Sequence, residues 1–229
     1  ACRRLCRRYD EFRLRLMKVV VFDIEGTLTQ TNAIDSECFI RSVREVLGVQ
    51  HFETDWSQYQ FITDSGVAQE ISQRYCDRPM SGALTKAFHE HLVNGLRGQP
   101  KSVFQAIPGA IDFFSALVES PDYAVALATG AHEASARYKL ETAGFEIADI
   151  PLASSSDAVV REHIMLQALD RAARFHQARF SEVIYFGDAP WDIEASRNLG
   201  WKLIGIGPRI ETDFRFDDYT DPSAIQSCL

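Results

Sequence analysis

Three short apolar segments of the chain each run directly into acidic or hydroxyl side chains. Residues 19–22 are followed by Asp23-Ile24-Glu25-Gly26-Thr27, residues 123–128 by Thr129-Gly130, and residues 183–186 by Gly187-Asp188-Ala189-Pro190-Trp191-Asp192. In an open parallel sheet the carboxyl ends of the strands line the ligand crevice. The side chains that we expect to converge there are Asp23, Glu25, Thr129, Asp188 and Asp192.

Carboxylates gathered at one sheet edge imply a bound cation. Like charges at short range repel one another and must be offset, and hard oxygen ligands with room for water favour Mg²⁺. A divalent metal beside a free carboxylate suits phosphoryl transfer, in which positioning and charge neutralisation do most of the work. Taken singly, Asp after a strand often caps a helix and Thr often lies in a turn. Their joint placement after three strands favours a catalytic site.

The elements that must position these residues alternate along the chain. Short continuous apolar runs at 19–22, 123–128, 183–186 and 203–206 are typical of buried parallel strands, with a weaker fifth candidate at 147–152. Helical patterns cover 109–119, 132–143, 158–174 and 193–199. This alternation predicts an α/β fold with a doubly wound, Rossmann-like parallel sheet. The stretch after Pro208, including Asp213, Asp217, Asp218 and Asp221, is interpreted as a solvated surface segment.

Residues 31–107 interrupt the alternation. They lack strong strand signals and show helical patterns at 34–47, 66–75 and 83–96. A stretch of this length is far too long for a simple strand-to-strand connection. We therefore predict a helical subdomain at 31–107, inserted into an α/β core formed by 17–30 and 108–229.

Composition limits the function classes. The chain has 229 residues, 46% of them hydrophobic, and a formal net charge of −8, which argues against nucleic acid as the main partner. The charge is uneven, because residues 1–18 hold seven basic and two acidic side chains. No apolar run approaches the roughly 20 residues that span a bilayer, so no membrane association is expected. Five scattered cysteines without a paired motif are typical of reduced thiols in a cytoplasmic protein.

The basic N-terminal arm, residues 1–16, carries a helical pattern of its own. Leu5, Tyr9, Phe12 and Leu16 recur at spacings of 4, 3 and 4, which places them on one face of a helix. Such a basic amphipathic helix can lie on a membrane surface, but it more often packs on its own protein. The sequence does not indicate the role of the arm or the oligomeric state.

The quoted motifs resemble those of the haloacid dehalogenase (HAD) superfamily, specifically its phosphatase-like branch with a helical cap, to which phosphoglycolate phosphatase and β-phosphoglucomutase belong. The first motif of that family, Asp-x-Asp-Gly-Thr-Leu after an apolar strand, is matched by Asp23-Ile24-Glu25-Gly26-Thr27-Leu28. The second, a Ser or Thr after the next core strand, is matched by Thr129, and the fourth, Gly-Asp-x-x-x-Asp, by residues 187–192. The resemblance covers about residues 17–207, and it makes the inserted subdomain 31–107 the cap.

The resemblance implies a role for each matched residue. Asp23 is the expected nucleophile, which would form an aspartyl-phosphate, and Thr129 with Gly130 would hold phosphoryl oxygens. The expected Mg²⁺ ligands are Asp23, the backbone carbonyl of Glu25, Asp188, and Asp192 either directly or through water. The third motif is a Lys or Arg before the fourth core strand, for which Arg161 is the best candidate. Arg137 and Lys139 come too early for it, and Arg171 and Arg174 too late.

Glu25 departs from the pattern, since the family's acid/base at this position is usually Asp. Glu keeps the carboxyl group and has a similar reference pKa, but it is one methylene longer, and a misplacement of about 1 Å can cost on the order of a hundredfold in rate. The enolase-phosphatase branch also carries Asp-x-Glu-Gly-Thr, so the change does not by itself imply inactivity.

The resulting prediction is a Mg²⁺-dependent phosphatase for a small phosphorylated metabolite, such as a sugar phosphate or a phosphoglycolate-like acid. The alternatives are a phosphomutase, a 2-haloacid dehalogenase of the same fold, or a catalytically weak member that binds a phosphorylated ligand. The substrate would be set mainly by the cap. Cap side chains that could reach it are Asp64, Ser65, Arg74, Arg78 and Lys86, although the sequence favours a surface role for each.

Overall fold

A computed structural model of the protein describes residues 16–229. Its six strands are β1 (Leu16–Phe22), β2 (Tyr123–Ala128), β3 (Leu152–Ala153), β4 (Arg179–Gly187), β5 (Lys202–Ile206) and β6 (Arg215–Phe216). They form one sheet in the order β3-β2-β1-β4-β5-β6, and every neighbouring pair is parallel. The predicted doubly wound α/β fold is confirmed.

Eight α-helices are described along the chain. They are α1 (Asn32–Ser42), continued by a π-helical turn at Val43–Leu47, α2 (Asp64–Cys76), α3 (Gly82–Arg97), α4 (Ala110–Glu119), α5 (Glu133–Ala143), α6 (Arg161–His176), α7 (Pro190–Leu199) and α8 (Pro222–Gln226). Each predicted helix is present within a few residues of its expected bounds. Helix α6 begins at Arg161 rather than 158, so the expected third-motif residue opens the helix.

The sheet is covered by apolar layers on both faces, as expected when helices flank a parallel sheet. One layer contains Phe22 and Phe186, and the other contains Val21, Met165 and Tyr185. Alternate residues of β1 belong to opposite layers because successive strand side chains point to opposite faces. Such a strand appears in the sequence as a continuous apolar run, which is why β1 and β2 could be predicted.

The strand bounds differ from the prediction in three places. β1 begins at Leu16 and β4 at Arg179, in both cases upstream of the apolar run, because the paired residues Lys18 and Glu182 interrupt the apolar pattern without ending the strands. The candidate strand at 147–152 was mostly wrong, since β3 is only Leu152–Ala153 and Ile147 packs into the core from a loop. Leu16 belongs to β1, and the rest of the N-terminal arm lies outside the described residues.

The helical segment between β1 and α4 has an apolar core of its own. Phe39 of α1 packs edge-on against Phe88 of α3 and against Trp56. The two segments that connect it to the α/β part lie side by side. Between them, Gln30 N donates to Gln105 O and Ile107 N donates to Leu28 O, each at 2.8 Å. These features support the division into a core and a cap at 31–107, which we keep as a proposal.

The segment after Pro208 is not simply a solvated surface stretch, and that interpretation was wrong. β6 extends the sheet beside β5, and the side chains of Tyr219 and Ile225 are buried in the core. These apolar residues are spaced too irregularly among the acidic ones to give a strand or helix pattern. Within residues 16–229, no helix is both long and apolar enough to cross a membrane.

Candidate active site

Three buried carboxylates meet at the carboxyl edge of the sheet. Asp23 directly follows β1, Asp188 follows β4, and Asp192 lies in the first turn of α7. One oxygen from each side chain lies within 4.8 Å of the others. The parallel pairing of β1 with β4 brings these residues together although the sequence separates them widely.

Asp192 is the most firmly held of the three. Its Oδ2 accepts hydrogen bonds from the backbone N–H groups of Asp188 and Ala189, both at 3.1 Å. Its Oδ1 accepts from the Tyr185 hydroxyl at 3.2 Å. Because both oxygens are occupied, Asp192 shapes the loop after β4, and a bridging water suits it better than direct contact with a metal.

Arg161 lies between two of these carboxylates. Its Nη1 is 3.4 Å from Asp23 Oδ1 and 3.2 Å from Asp192 Oδ1, and its Nη2 donates to the Ile62 carbonyl of the cap segment at 3.2 Å. Burial alone would lower the pKa of Arg161, but Asp192 and Asp23 outweigh it and raise the pKa above its ordinary value. The guanidinium is therefore charged beside the expected nucleophile. A Cβ at Gly130 would lie 2.8 Å from Nη2, so this position leaves no room for a side chain.

The electrostatics of the acidic cluster favour a cation. Burial, with a further contribution from Asp192, raises the pKa of Asp23 well above its usual range. The same two causes, in the same order, raise the pKa of Asp188 to about 7. Carboxylates that resist ionisation together become charged readily when a divalent ion offsets them.

Asp188 is approached closely by other groups. Gly26 has a φ of +85° and no room for a side chain, because a Cβ there would lie 2.0 Å from Asp188 Oδ2. The same oxygen is 3.2 Å from Arg209 Nη1 and 3.3 Å from the Asn32 amide. The oxygens of Asp23, Asp188 and Asp192 are hard donors of the kind that suits Mg²⁺, so this cluster could hold a metal ion.

Glu25 and Thr129 are engaged with each other. The Thr129 hydroxyl donates to Glu25 Oε2 at 2.9 Å and accepts from Ala131 N at 3.0 Å. Glu25 Oε1 lies 2.6 Å from the ammonium of Lys139, which also contacts Asp35. In this arrangement the Thr129 hydroxyl is bound to the Glu25 carboxyl, whereas the sequence suggested a contact with phosphoryl oxygens.

A cavity opens over this cluster, and the cap segment forms its other wall. The core contributes Asp23, Glu25, Gly130, Arg161, Asp188, Trp191 and Arg209, and the cap segment contributes Asn32, Asp35, Phe39, Trp56, Ile62, Asp64 and Val67 among others. Burial, together with the nearby Asp35, raises the pKa of Asp64 to about 8. The cap wall is thus partly aromatic and, where it is ionisable, acidic.

Of the five cap residues that could reach a substrate, Asp64 alone lines this cavity. Ser65 donates to the Ser155 carbonyl at 2.8 Å, and Arg74 pairs with Glu70 on the surface. Lys86 lies against a second cavity, and Arg78 is exposed.

Sequence reasoning missed three side chains of the site, Asn32, Lys139 and Arg209. Asn32 and Arg209 belong to no motif and meet Asp188 only through the fold. Lys139 did leave a signal, because it falls on the same stripe of α5 as the buried residues Ala136 and Leu140. A lysine on a sheet-facing stripe needs a buried partner.

Fold and site together define an enzyme whose buried aspartates and arginine meet at the carboxyl edge of a parallel sheet. A family model described as haloacid dehalogenase-like hydrolase matches residues 17–200. The chain therefore belongs to the haloacid dehalogenase-like hydrolases. No curated protein matches the sequence significantly.

Solved structures share the fold at low sequence identity. A hydrolase from Pseudomonas syringae is 17% identical with a TM-score of 0.69, covering 93% of this chain and 99% of its own. A β-phosphoglucomutase from Clostridium difficile is 14% identical with a TM-score of 0.69, covering 93% and 96%. CbbY from Rhodobacter sphaeroides, in a complex with xylulose-1,5-bisphosphate, is 15% identical with a TM-score of 0.65, covering 90% and 96%. At these identities the likeness concerns the fold.

Proposed function

We propose that the protein is a Mg²⁺-dependent phosphatase that hydrolyses a small phosphomonoester through an aspartyl-phosphate on Asp23. The observation that carries the proposal is the position of Asp23, which shares one cavity floor with Asp188 and Arg161. The fully buried Asp192 lies directly behind them. Bound Mg²⁺ would neutralise phosphoryl oxygens and the surrounding carboxylates.

The chain's own residues account for the two chemical steps. In the first, an Asp23 oxygen bonds to phosphorus while the bond from phosphorus to the leaving oxygen breaks, and Glu25 gives that oxygen a proton. In the second, Glu25 takes a proton from water as the water oxygen bonds to phosphorus and the Asp23–phosphorus bond breaks. The products are an alcohol and phosphate. Arg161 stabilises charge on the transferring group in both steps.

The charge of the cavity wall narrows the substrate class. Among the described residues that line the cavity, the cationic ones are Arg161 and Arg209, and both contact core carboxylates. The cap side offers Asp35 and Asp64 instead. A second phosphate or a carboxylate on the substrate would therefore find no free cation among the described residues that line the cavity.

This distribution favours a sugar-like or polyol-like phosphomonoester over a phosphoglycolate-like acid. It also disfavours the phosphomutase alternative, because a mutase must hold a bisphosphate. With its raised pKa, Asp64 is largely protonated at neutral pH, so it can both donate to and accept from a substrate hydroxyl. Phe39 and Trp56 supply the apolar surface against which a sugar ring packs.

The proposal is tested with p-nitrophenyl phosphate in the presence of Mg²⁺. We expect turnover that EDTA abolishes and that Asp23→Asn reduces by at least about 10⁴-fold, because the nucleophile is lost. Asp213→Asn, an exposed aspartate, is the matched control and should retain full activity. Binding of phosphate without turnover would instead identify the ligand-binding alternative, and turnover that survives Asp23→Asn would exclude the aspartyl-phosphate route.

The substrate class is tested with a panel of phosphorylated metabolites at saturating Mg²⁺. We expect kcat/KM for neutral sugar and polyol monophosphates to exceed that for phosphoglycolate and for sugar bisphosphates by about tenfold or more, which corresponds to roughly 1.4 kcal/mol of discrimination. A preference for phosphoglycolate would contradict the charge argument and leave the phosphatase proposal intact.

A further inference from the structure

Lys139 is a fully buried lysine beside the candidate active site, and the sequence motifs of that site do not include it. It lies on α5, and its side chain has no exposed surface. Its neighbours on the buried stripe of the helix are Ser135, Ala136 and Leu140. A lysine is almost never buried completely unless its charge is paired, since desolvation of an ammonium is costly. The groups that pair with Lys139 should therefore indicate its role.

The partners of Lys139 are two carboxylates of the cavity wall. Its Nζ is 2.6 Å from Glu25 Oε1 and also contacts Asp35 Oδ1. The other Glu25 oxygen, Oε2, accepts from the Thr129 hydroxyl at 2.9 Å. One oxygen of Glu25 thus accepts a hydrogen bond from Thr129, which follows β2. The other oxygen lies in an ion pair with Lys139 of α5 that does not have hydrogen-bond geometry.

Glu25 needs such restraint more than an aspartate would. The additional methylene gives the side chain one more rotatable bond, and ordering that bond costs conformational entropy. A carboxyl displaced by about 1 Å loses on the order of a hundredfold in rate. Two partners that fix both oxygens remove this freedom before the substrate binds.

We propose that Lys139 is a positioning residue that holds the Glu25 carboxyl in place for acid/base work. The inference rests on the phosphatase function proposed above. Lys139 transfers no proton itself: Glu25 protonates the leaving oxygen in the first step and deprotonates water in the second. Asp35 of α1 holds Lys139 from the cap side, so the cap segment contributes to the placement of a core residue.

Positioning of Glu25 by Lys139 and a purely structural role for Lys139 predict different kinetic results. Nitrophenolate leaves without protonation, so formation of the aspartyl-phosphate from p-nitrophenyl phosphate does not depend on Glu25. Hydrolysis of that intermediate does depend on it, because a base must take the proton from water. Loss of positioning therefore slows only the second step, whereas general damage to the site slows both.

The experiment is stopped-flow release of nitrophenolate by wild type, Lys139→Met and Lys86→Met, with Mg²⁺ present. Lys86 is an exposed lysine of α3 and serves as the matched control. For Lys139→Met we expect a burst of about one nitrophenolate per site, followed by a steady state about 100-fold slower than wild type. Lys86→Met should match wild type.

A second variant covers the case in which Lys139→Met does not fold, since it leaves two carboxylates without their cation. Lys139→Met/Asp35→Asn removes one positive and one negative charge together, and the same burst is expected. A folded variant with wild-type turnover, or with burst and steady state reduced equally, would overturn the positioning role alone. If wild type itself lacks Mg²⁺-dependent turnover, both proposals fail.

Discussion

Arg161 and Lys139 are two cations beside the same cavity, and each lies between two carboxylates. Arg161 contacts Asp23 and Asp192, both of the core, and Lys139 contacts Glu25 of the core and Asp35 of the cap segment. Burial alone would lower the pKa of each cation, and in each case the carboxylates outweigh it and raise the pKa above its ordinary value. The two groups are therefore alike in charge, but Lys139 is fully buried whereas Arg161 is partly exposed to the cavity.

They differ in what they hold. In the proposed mechanism Arg161 lies beside the nucleophile Asp23 and the phosphoryl group, and its planar guanidinium can contact two oxygens at once. Lys139 is a point charge behind the acid/base carboxyl and never reaches the phosphoryl group in the proposed mechanism. One cation thus acts on the substrate directly, and the other acts through Glu25, which separates their expected effects on the two steps.

Of the two cations, Arg161 should give the larger effect on removal. Arg161→Met takes away the charge that stabilises the transferring group in both steps, so we expect a loss of roughly 10²–10³-fold in kcat. The burst of nitrophenolate should disappear as well, in contrast to Lys139→Met. Arg174→Met, at the exposed end of the same helix, is the control. A burst retained in Arg161→Met would contradict the proposal that Arg161 acts in both steps and Lys139 only in the second.

Replacement of Glu25 by the shorter aspartate tests whether the position of Lys139 suits a glutamate side chain. In Glu25→Asp the carboxyl starts from the same backbone position but cannot reach both Thr129 and Lys139. We expect kcat to fall about 10- to 100-fold, measured with p-nitrophenyl phosphate in the steady state. Glu146→Asp, an exposed site, controls for the substitution itself. A gain in kcat would show that the usual aspartate works better at this position and that Lys139 does not compensate for the longer side chain.

The two cations also differ in whether their place in the site could be predicted from the sequence. Asp23, Asp188 and Asp192 follow strands that are legible as apolar runs, and Arg161 opens a helix whose pattern is clear. Their convergence follows from the topology of a parallel sheet. This part of the site could be predicted.

Lys139, Arg209 and Asp35 could not be placed in the same way. Each reaches the site through tertiary packing, and nothing in its neighbouring residues indicates the partner. The family's third motif places its cation closer to β4, so it does not point to a second buried cation on α5. The short β6 pairing likewise depends on the edge of β5, which no local pattern reveals.

The last predicted effect concerns stability instead of rate and tests whether the acidic cluster is built for a cation. Burial and Asp192 raise the pKa of Asp188 in the folded protein from 3.8 to about 7. Below the unfolded pKa both states are protonated and nothing is lost. As the pH rises from about 4 through 7, the unfolded chain ionises more readily, so the folded protein without metal loses stability.

The loss is at most about 4 kcal/mol, or roughly 10 °C in Tm for a protein of this size. We expect the Tm in EDTA to fall less between pH 5 and pH 8 for Asp188→Asn than for wild type. Because Mg²⁺ binds the ionised carboxylates, it should raise the Tm of wild type more at pH 8 than at pH 5. Asp213→Asn should follow wild type throughout. Equal pH dependence of wild type and Asp188→Asn would mean that Asp188 is not held in a strained acidic cluster, and the proposed metal site would lose its electrostatic basis.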